Sequence, residues 1–185
     1  MKLASFGDQL RKFADENGIS FDQYMDTWTG TKFGQSIPQR YKRLGSEVAL
    51  AIPEGWDDHA EWTVDVGSME NPRGYASVLP FEEDPGDLAR LYMVQIFPSL
   101  MDRLSDSACR WVIAHALAHI ASKLRFGSIV IQGVPHTELH KDEYVPVPPK
   151  SVQEDAANNI SLGWGFDREM QAFLIEDGVG MEGEE

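Results

Sequence analysis

Two histidines four residues apart are the side chains of this sequence best placed to do chemistry. His115 and His119 lie in the run WVIAHALAHIASKLRFG, residues 111–127. On a helix, residues four apart lie one turn apart on the same face, so two imidazole nitrogens would point at one ion. Zinc held in this way needs at least one more protein ligand, and a catalytic site keeps a further position for water. Two histidines on a core helix are the alternative interpretation of the pair.

A candidate third ligand lies farther along the chain, in the run EDAANNISLGWGF at residues 154–166. Glu154 would supply a carboxylate, and Asn158 follows it by one helical turn, a position from which an amide can orient a ligand. Ser151 and Glu154 also have the spacing of a capping box, which would explain the glutamate without a metal. Exposure on a helix would likewise explain Asn158.

The two runs together resemble the metal helices of zincin peptidases. WVIAHALAHIA is similar to the helix whose usual form is HExxH, and EDAAN resembles the second metal helix of gluzincin-type families, both HtpX-type and ImmA/IrrE-type. The resemblance covers residues 111–166. It implies that His115, His119 and Glu154 bind Zn, with Asn158 in support, and that the substrate or partner is a peptide or protein. A metzincin site fits less well, because Ser122 and Arg125 stand where that pattern needs glycine and histidine.

Ala116 departs from the family pattern. In HExxH this position is the glutamate that takes a proton from zinc-bound water and passes it to the leaving amine. Alanine can do neither, so peptide hydrolysis should be impaired or lost. Three interpretations follow: a degenerate relative of the peptidases, a protein that uses another carboxylate as base, or an engineered inactivation.

A second group of ionisable residues lies between the two metal runs. His136 and His140 form another HxxxH, with Glu138 between them, in the proline-rich stretch PHTELHKDEYVPVPPKS. These residues would be alternative ligands or a substitute base, or they belong to a solvated loop.

Composition limits the function classes. The single Cys109 excludes an intramolecular disulfide and favours a reducing, cytoplasmic setting. The sequence shows neither a signal peptide nor an apolar run of membrane-spanning length. A net charge of −14 disfavours nucleic acid as a partner, since phosphates would be repelled, although Lys32, Arg40, Lys42 and Arg43 form one basic cluster.

The elements that would position the metal ligands suggest an α+β protein, zincin-like in fold, with a small three-stranded sheet against the metal helix and further helices at both ends. We expect one domain over residues 1–175. It begins with a helical hairpin at 1–45, in which Ser20 and Gln23 form a capping box. Three short strands over 46–80 follow, in SEVALAIP, EWTVDVGS and GYASVLPF, antiparallel because their connections are short.

Residues 84–175 are predicted to be mainly helical. Asp84 would cap a helix that continues to Leu104 with a kink or break at Pro98. The histidine helix would run from Ser107 to Phe126. SIVIQGV at 128–134 would be one more strand or a buried extended segment. Further helices would open at Ser151 and at Asp167, and the acidic residues 176–185 would form a flexible tail.

On these grounds the sequence predicts a zinc metallopeptidase-like protein with weak or absent proteolysis. The alternative is a non-enzymatic module that uses the same cleft to bind a peptide or a protein. DNA binding through the basic hairpin is a third and less favoured hypothesis, because Pro38 stands where a recognition helix would be expected.

Overall fold

The fold is known from a computed structural model that describes residues 4–67, 74–81, 90–124, 129–131, 137–138 and 150–181. Within these ranges the chain forms seven helices and five strands, which confirms the α+β class. The helices are α1 Phe6–Glu16, α2 Phe21–Lys32, α3 Gln39–Ala51, α4 Pro98–Met101, α5 Asp106–Ala121, α6 Lys150–Gly163 and α7 Asp167–Met181. The strands are β1 Glu61–Val66, β2 Ala76–Phe81, β3 Leu91–Ile96, β4 Ile129–Ile131 and β5 Thr137–Glu138.

The sheet is mixed, with strand order β1-β3-β2-β4-β5. Its body is the three six-residue strands: β1 runs parallel to β3, and β2 lies antiparallel to β3. The prediction of purely antiparallel pairing is therefore wrong for β1. The outer edge of β1 is covered by the chain that leaves α2, because the Gly34 amide donates a 2.8 Å hydrogen bond to the Val64 carbonyl. That edge is closed to an added peptide strand at this point.

The first two helices form where the sequence predicts them. Ser20 caps α2, because its hydroxyl accepts a hydrogen bond from the Gln23 amide. The full capping box is not formed, since the Gln23 side-chain oxygen accepts from the Ser20 hydroxyl and not from the Ser20 backbone amide. Gly18, between α1 and α2, has φ +65°, a conformation that favours glycine. Both helices of the predicted hairpin are therefore present, and a third helix, α3, already begins at Gln39, inside the range 1–45.

Residues 46–51, predicted as a strand, continue α3 instead. The helix begins directly after Pro38, which occupies the N-cap position, where its lack of an amide hydrogen costs nothing. Tyr41, Leu44 and Val48 are spaced three and four apart and are fully or almost fully buried. This helical spacing outweighs the β-branched character of the last residues.

Strand β3 replaces the predicted helix over residues 91–96. Tyr92, Val94 and Ile96 are buried, while Leu91 is exposed and Met93 only partly buried, so burial alternates with the period of a strand. Leu91 and Val94 also match helical spacing, which explains the wrong prediction. Pro98 then begins the short helix α4, so it starts an element and does not kink a longer one.

Helix α5 lies at the centre of the molecule. It packs against α3, α6 and α7 and against strands β2 and β3. Twelve of its sixteen residues are buried, and a helix that is apolar on nearly all sides is a core helix. The predicted packing of the sheet against the histidine helix is confirmed.

Helix α7 extends into the segment predicted as a flexible tail. It continues to Met181, and both Glu176 and Asp177 are engaged. Glu176 accepts hydrogen bonds from the Ser105 amide at 2.7 Å and from its hydroxyl at 2.5 Å, and Asp177 accepts one from Tyr75 at 2.7 Å. The tail prediction is therefore wrong for residues 176–181, and residues 182–185 lie outside the described ranges.

Candidate metal centre

Polar contacts fix the start and the end of α5, and the residues between them are buried in the core. Ser105 caps the first turn by accepting a hydrogen bond from the Ala108 amide, and Asp106 adds a negative charge there. At the other end, the Ser122 hydroxyl donates a 2.7 Å hydrogen bond to the His119 carbonyl. The helix is therefore shorter than predicted, ending at Ala121, and residues 125–128 lie outside the described part of the chain.

His115 and His119 lie on one face of α5, as their spacing predicts. Their ring centroids are 4.8 Å apart and the rings are nearly perpendicular. The two residues are only 2% and 1% exposed. Burial lowers the pKa of His115 to about 3, so this imidazole is neutral near pH 7, the state that binds a metal ion.

Glu154 of α6 brings a carboxylate to both histidines. Its Oε2 lies 3.4 Å from His115 Nε2, and its Oε1 lies 3.5 Å from His119 Nε2, with the side chain 20% exposed. One ligand atom from each of the three residues lies within 4.8 Å of the others, so the group could hold a metal ion. The structure thus assembles the three side chains that the sequence singles out.

The other residues of the predicted site have different outcomes. Ala116 is fully buried on α5, next to His115. Asn158 lies one turn after Glu154 on α6 and is partly exposed, and its backbone carbonyl accepts a 3.4 Å hydrogen bond from Ser161. Its role in orienting a ligand stays a prediction.

The second histidine pair cannot be placed relative to the site. His136 and His140 lie outside the described residues, as does the side chain of Glu138, whose backbone forms part of β5. The capping role of Ser151 stays a prediction; α6 begins one residue before it, at Lys150.

Two residues near the site have contacts that the sequence interpretation does not identify. Trp111 is buried, and its ring centroid lies 5.2 Å from that of His115. The spacing of four between positions 111, 115 and 119 was the available signal for this contact. His59 lies with its Nε2 3.0 Å from the Ile120 carbonyl, at the end of α5. These partners are 61 positions apart, so no local pattern could have found them.

Most of the predicted basic cluster is engaged in contacts within the protein. Arg40 and Arg43 both donate to Asp106, at 2.9 and 2.6 Å, and so connect α3 to the start of α5. Lys32 lies over the Trp62 ring, 4.6 Å from its centroid, and donates to the Trp62 carbonyl. Burial, the largest influence on Lys32, lowers its pKa. These contacts leave little of the cluster to form a phosphate-binding surface.

Comparison with known proteins gives no family: no family model, no curated protein and no solved structure matches this chain. The resemblance to zincins therefore depends on the residues of α5 and α6 themselves. Across the described ranges, none of the helices has the length and apolar character needed to cross a membrane.

Proposed function

We propose that this protein binds zinc through His115, His119 and Glu154 in a zincin-like arrangement, and that its ability to hydrolyse peptides is impaired or lost. Two imidazoles and a carboxylate are a donor set that zinc accepts in proteins, with a fourth position left for water or another ligand. The substrate or partner would be a peptide or a protein.

The separation of the ligand atoms carries this proposal. Distances of 3.4 and 3.5 Å between the histidine nitrogens and the Glu154 oxygens exceed the usual 2.7–3.2 Å range for hydrogen bonds. Ligands of a tetrahedral zinc ion lie about 2.1 Å from the metal, which puts them about 3.4 Å from one another. Both of these separations match the spacing of ligands around a zinc ion, although each involves a different oxygen of Glu154. One ligand atom from each of the three residues lies within 4.8 Å of the others.

The buried position of the histidines also favours metal binding. A metal competes with protons for imidazole nitrogen, and the depressed pKa of His115 removes that competition near pH 7. Both histidines come from a helix that is fixed in the core, so little conformational entropy is lost when they bind.

Ala116 is the reason for proposing weak or absent proteolysis. A bound zinc ion would lower the pKa of its water ligand toward about 7. Ala116 has no group that could accept the proton from that water or deliver it to the leaving amine. Loss of a positioned general base typically lowers the rate by about 10² to 10⁴.

Metal analysis is the direct test of the zinc site. Protein purified without added metal, or titrated with zinc afterwards, should bind about one zinc ion per chain. Glu154→Gln should weaken binding by at least about tenfold, while Glu54→Gln, at an exposed position, should leave the affinity unchanged. If wild-type protein takes up no zinc, the ligand assignment is wrong. Equal affinity in Glu154→Gln would move the third ligand elsewhere.

Restoring the missing carboxylate tests the relation to peptidases. Zinc-loaded Ala116→Glu should hydrolyse an unstructured protein substrate at least about 10² times faster than wild type. Ala116→Gln has nearly the same size without the base, and it should stay as inactive as wild type. Zinc-loaded and folded Ala116→Glu without any gain would favour the second candidate, a non-enzymatic peptide- or protein-binding module. The alanine at position 116, where HExxH has its general base, is what supports that alternative.

A further inference from the structure

An open groove of about 500 Å³ lies between α2 and α3. Different elements form the candidate metal centre, which is built on α5 and α6. The volume is within the range of sites that bind small molecules or short peptides. Met25 and Leu50 provide an apolar surface, and both are partly buried against the core.

Lys42 places an available positive charge on the α3 side of this groove. Its neighbour Arg43 also lines the groove, but donates hydrogen bonds to Glu47 and Asp106. Among the described residues, no carboxylate forms an ion pair with Lys42 and no acceptor takes a hydrogen bond from its ammonium group. A ligand with a negative group would therefore find a cation whose charge is not already neutralised.

The α2 side of the groove contributes the carboxylate of Asp26 and an open space beside Gly30. Asp26 lines this side and, within the described ranges, forms no ion pair, so it would repel a second negative charge on the same ligand. Gly30 leaves space above the helix, because a Cβ atom built there would have no neighbouring atom within 4 Å. The polar contact between the hydroxyls of Thr29 and Ser46, 3.3 Å apart, joins the two helices along the groove.

We propose that the α2–α3 groove binds a peptide segment in which one acidic side chain stands next to an apolar one. The acidic side chain would pair with Lys42, and the apolar side chain would pack on Met25 and Leu50 near Gly30. Charge complementarity selects this partner, since Lys42 attracts a single carboxylate while Asp26 disfavours more of them. The groove would bind such a segment whether or not the metal site is occupied.

Three capped tetrapeptides test the groove in the full-length protein: acetyl-Ala-Glu-Leu-Ala-amide, its Gln analogue and its Lys analogue. In an NMR titration, the acidic peptide should shift amide resonances within Met25–Gly30 and Gln39–Leu50. The Gln peptide should bind about threefold more weakly, as expected for loss of one partly exposed ion pair, and the Lys peptide weaker still. The proposal is overturned if no peptide shifts these resonances, or if the Lys peptide binds as tightly as the acidic one.

Two variants localise the binding. Gly30→Leu fills the gap, and leucine has the higher helix propensity, so the variant should melt no lower than wild type and should lose the shifts. Lys42→Met should bind the acidic peptide about threefold more weakly and should bind the Gln peptide as wild type does. Lys12→Met, which removes an exposed lysine of α1, is the control. It should change the affinity for neither the acidic peptide nor the Gln peptide. Undiminished binding in folded Gly30→Leu would contradict the proposal. Should Gly30→Leu not fold, equal affinity of Lys42→Met and wild type for the acidic peptide would contradict it as well.

Discussion

The ring of Trp111 lies against the ring of His115, with centroids 5.2 Å apart and the planes tilted by 43°. Trp111 lies one helical turn before His115 on α5, and both side chains are buried. The indole therefore limits the rotation of the imidazole and keeps water from one of its faces. Trp111 helps to fix the geometry of the candidate metal centre without offering a ligand atom.

We expect replacement of Trp111 to affect stability and metal affinity together. Trp111→Ala should lower the free energy of unfolding by about 3–5 kcal/mol, because it leaves a large cavity beside His115. It should also weaken zinc binding by at least about tenfold, since the imidazole loses its support. Trp111→Phe keeps an aromatic ring beside His115, so it should lose clearly less stability and less zinc affinity than Trp111→Ala. Urea unfolding without metal and zinc competition with a chromophoric chelator measure the two effects, and equal affinity of the two variants would argue against a positioning role.

The ion pairs between α3 and α5 should make stability depend on acidic pH. Hydrogen bonds from Arg43 and Arg40 lower the pKa of Asp106 below its usual value. The native state therefore binds fewer protons at this carboxyl than the unfolded state does. The resulting stabilisation is present above about pH 4, the unfolded pKa, and is lost as the pH falls through the lower native pKa.

The test compares Asp106→Asn with wild type by urea unfolding at several pH values. Wild type should be more stable at pH 6, and the difference should shrink between about pH 4 and pH 2. Asp22→Asn is the matched control, since Asp22 also lies in the first turn of a helix but forms no ion pair among the described residues. A difference that does not change with pH would mean that Asp106 contributes through packing alone.

The candidate metal ligands were predictable because their arrangement depends on local spacing. His115 and His119 need only one regular helix to share a face, and Glu154 needs only a second helix packed on the first. The elements before them were harder. At the end of α3 and in β3, short segments of mixed apolar and polar residues, SEVALAIP and LYMVQI, match helical and strand spacing almost equally. Their neighbours in space decide between the two structures.

Long-range partners explain the wrong prediction for the end of the chain. Residues 176–185 carry five acidic side chains and no basic ones, a composition that favours a solvated tail. Here Glu176 and Asp177 instead bind Ser105 and Tyr75, which lie 71 and 102 positions away. Contacts at such separations leave no periodic pattern in the sequence. The same holds for the contact of His59 with the end of α5.

Cys109 should be unreactive in the folded protein. The thiol is fully buried on α5, and burial raises its pKa to about 12. Both effects leave almost no accessible thiolate near pH 8, and the thiolate is the reactive form. Ellman's reagent should therefore react at least about 100-fold more slowly with native protein than with protein in guanidinium chloride. In guanidinium chloride one thiol per chain should react. Rapid reaction of the native protein would contradict the burial of this residue.

The hydrogen bond from Tyr75 to Asp177 should stabilise the end of α7. It is 2.7 Å long and ends on a carboxylate, and burial together with this bond raises the pKa of Tyr75 to about 12. Tyr75→Phe keeps the ring contact with Phe173 but removes the donor. We expect the free energy of unfolding to fall by about 1–2 kcal/mol, the usual cost for a hydrogen bond to a charged group in a partly exposed place.

A double-mutant cycle with Asp177→Asn separates this bond from other effects of the two substitutions. If the hydroxyl acts through Asp177, the double variant should lose about 1 kcal/mol less unfolding free energy than the two single variants lose in sum. Tyr24→Phe is the control, because Tyr24 contacts the Phe13 ring but its hydroxyl forms no hydrogen bond within the described residues, and its removal should cost less than about 0.5 kcal/mol. Purely additive effects of Tyr75→Phe and Asp177→Asn would mean that the end of α7 is held in place without help from this bond. In that case the Glu176 contacts with Ser105 would be the polar anchor of the helix end.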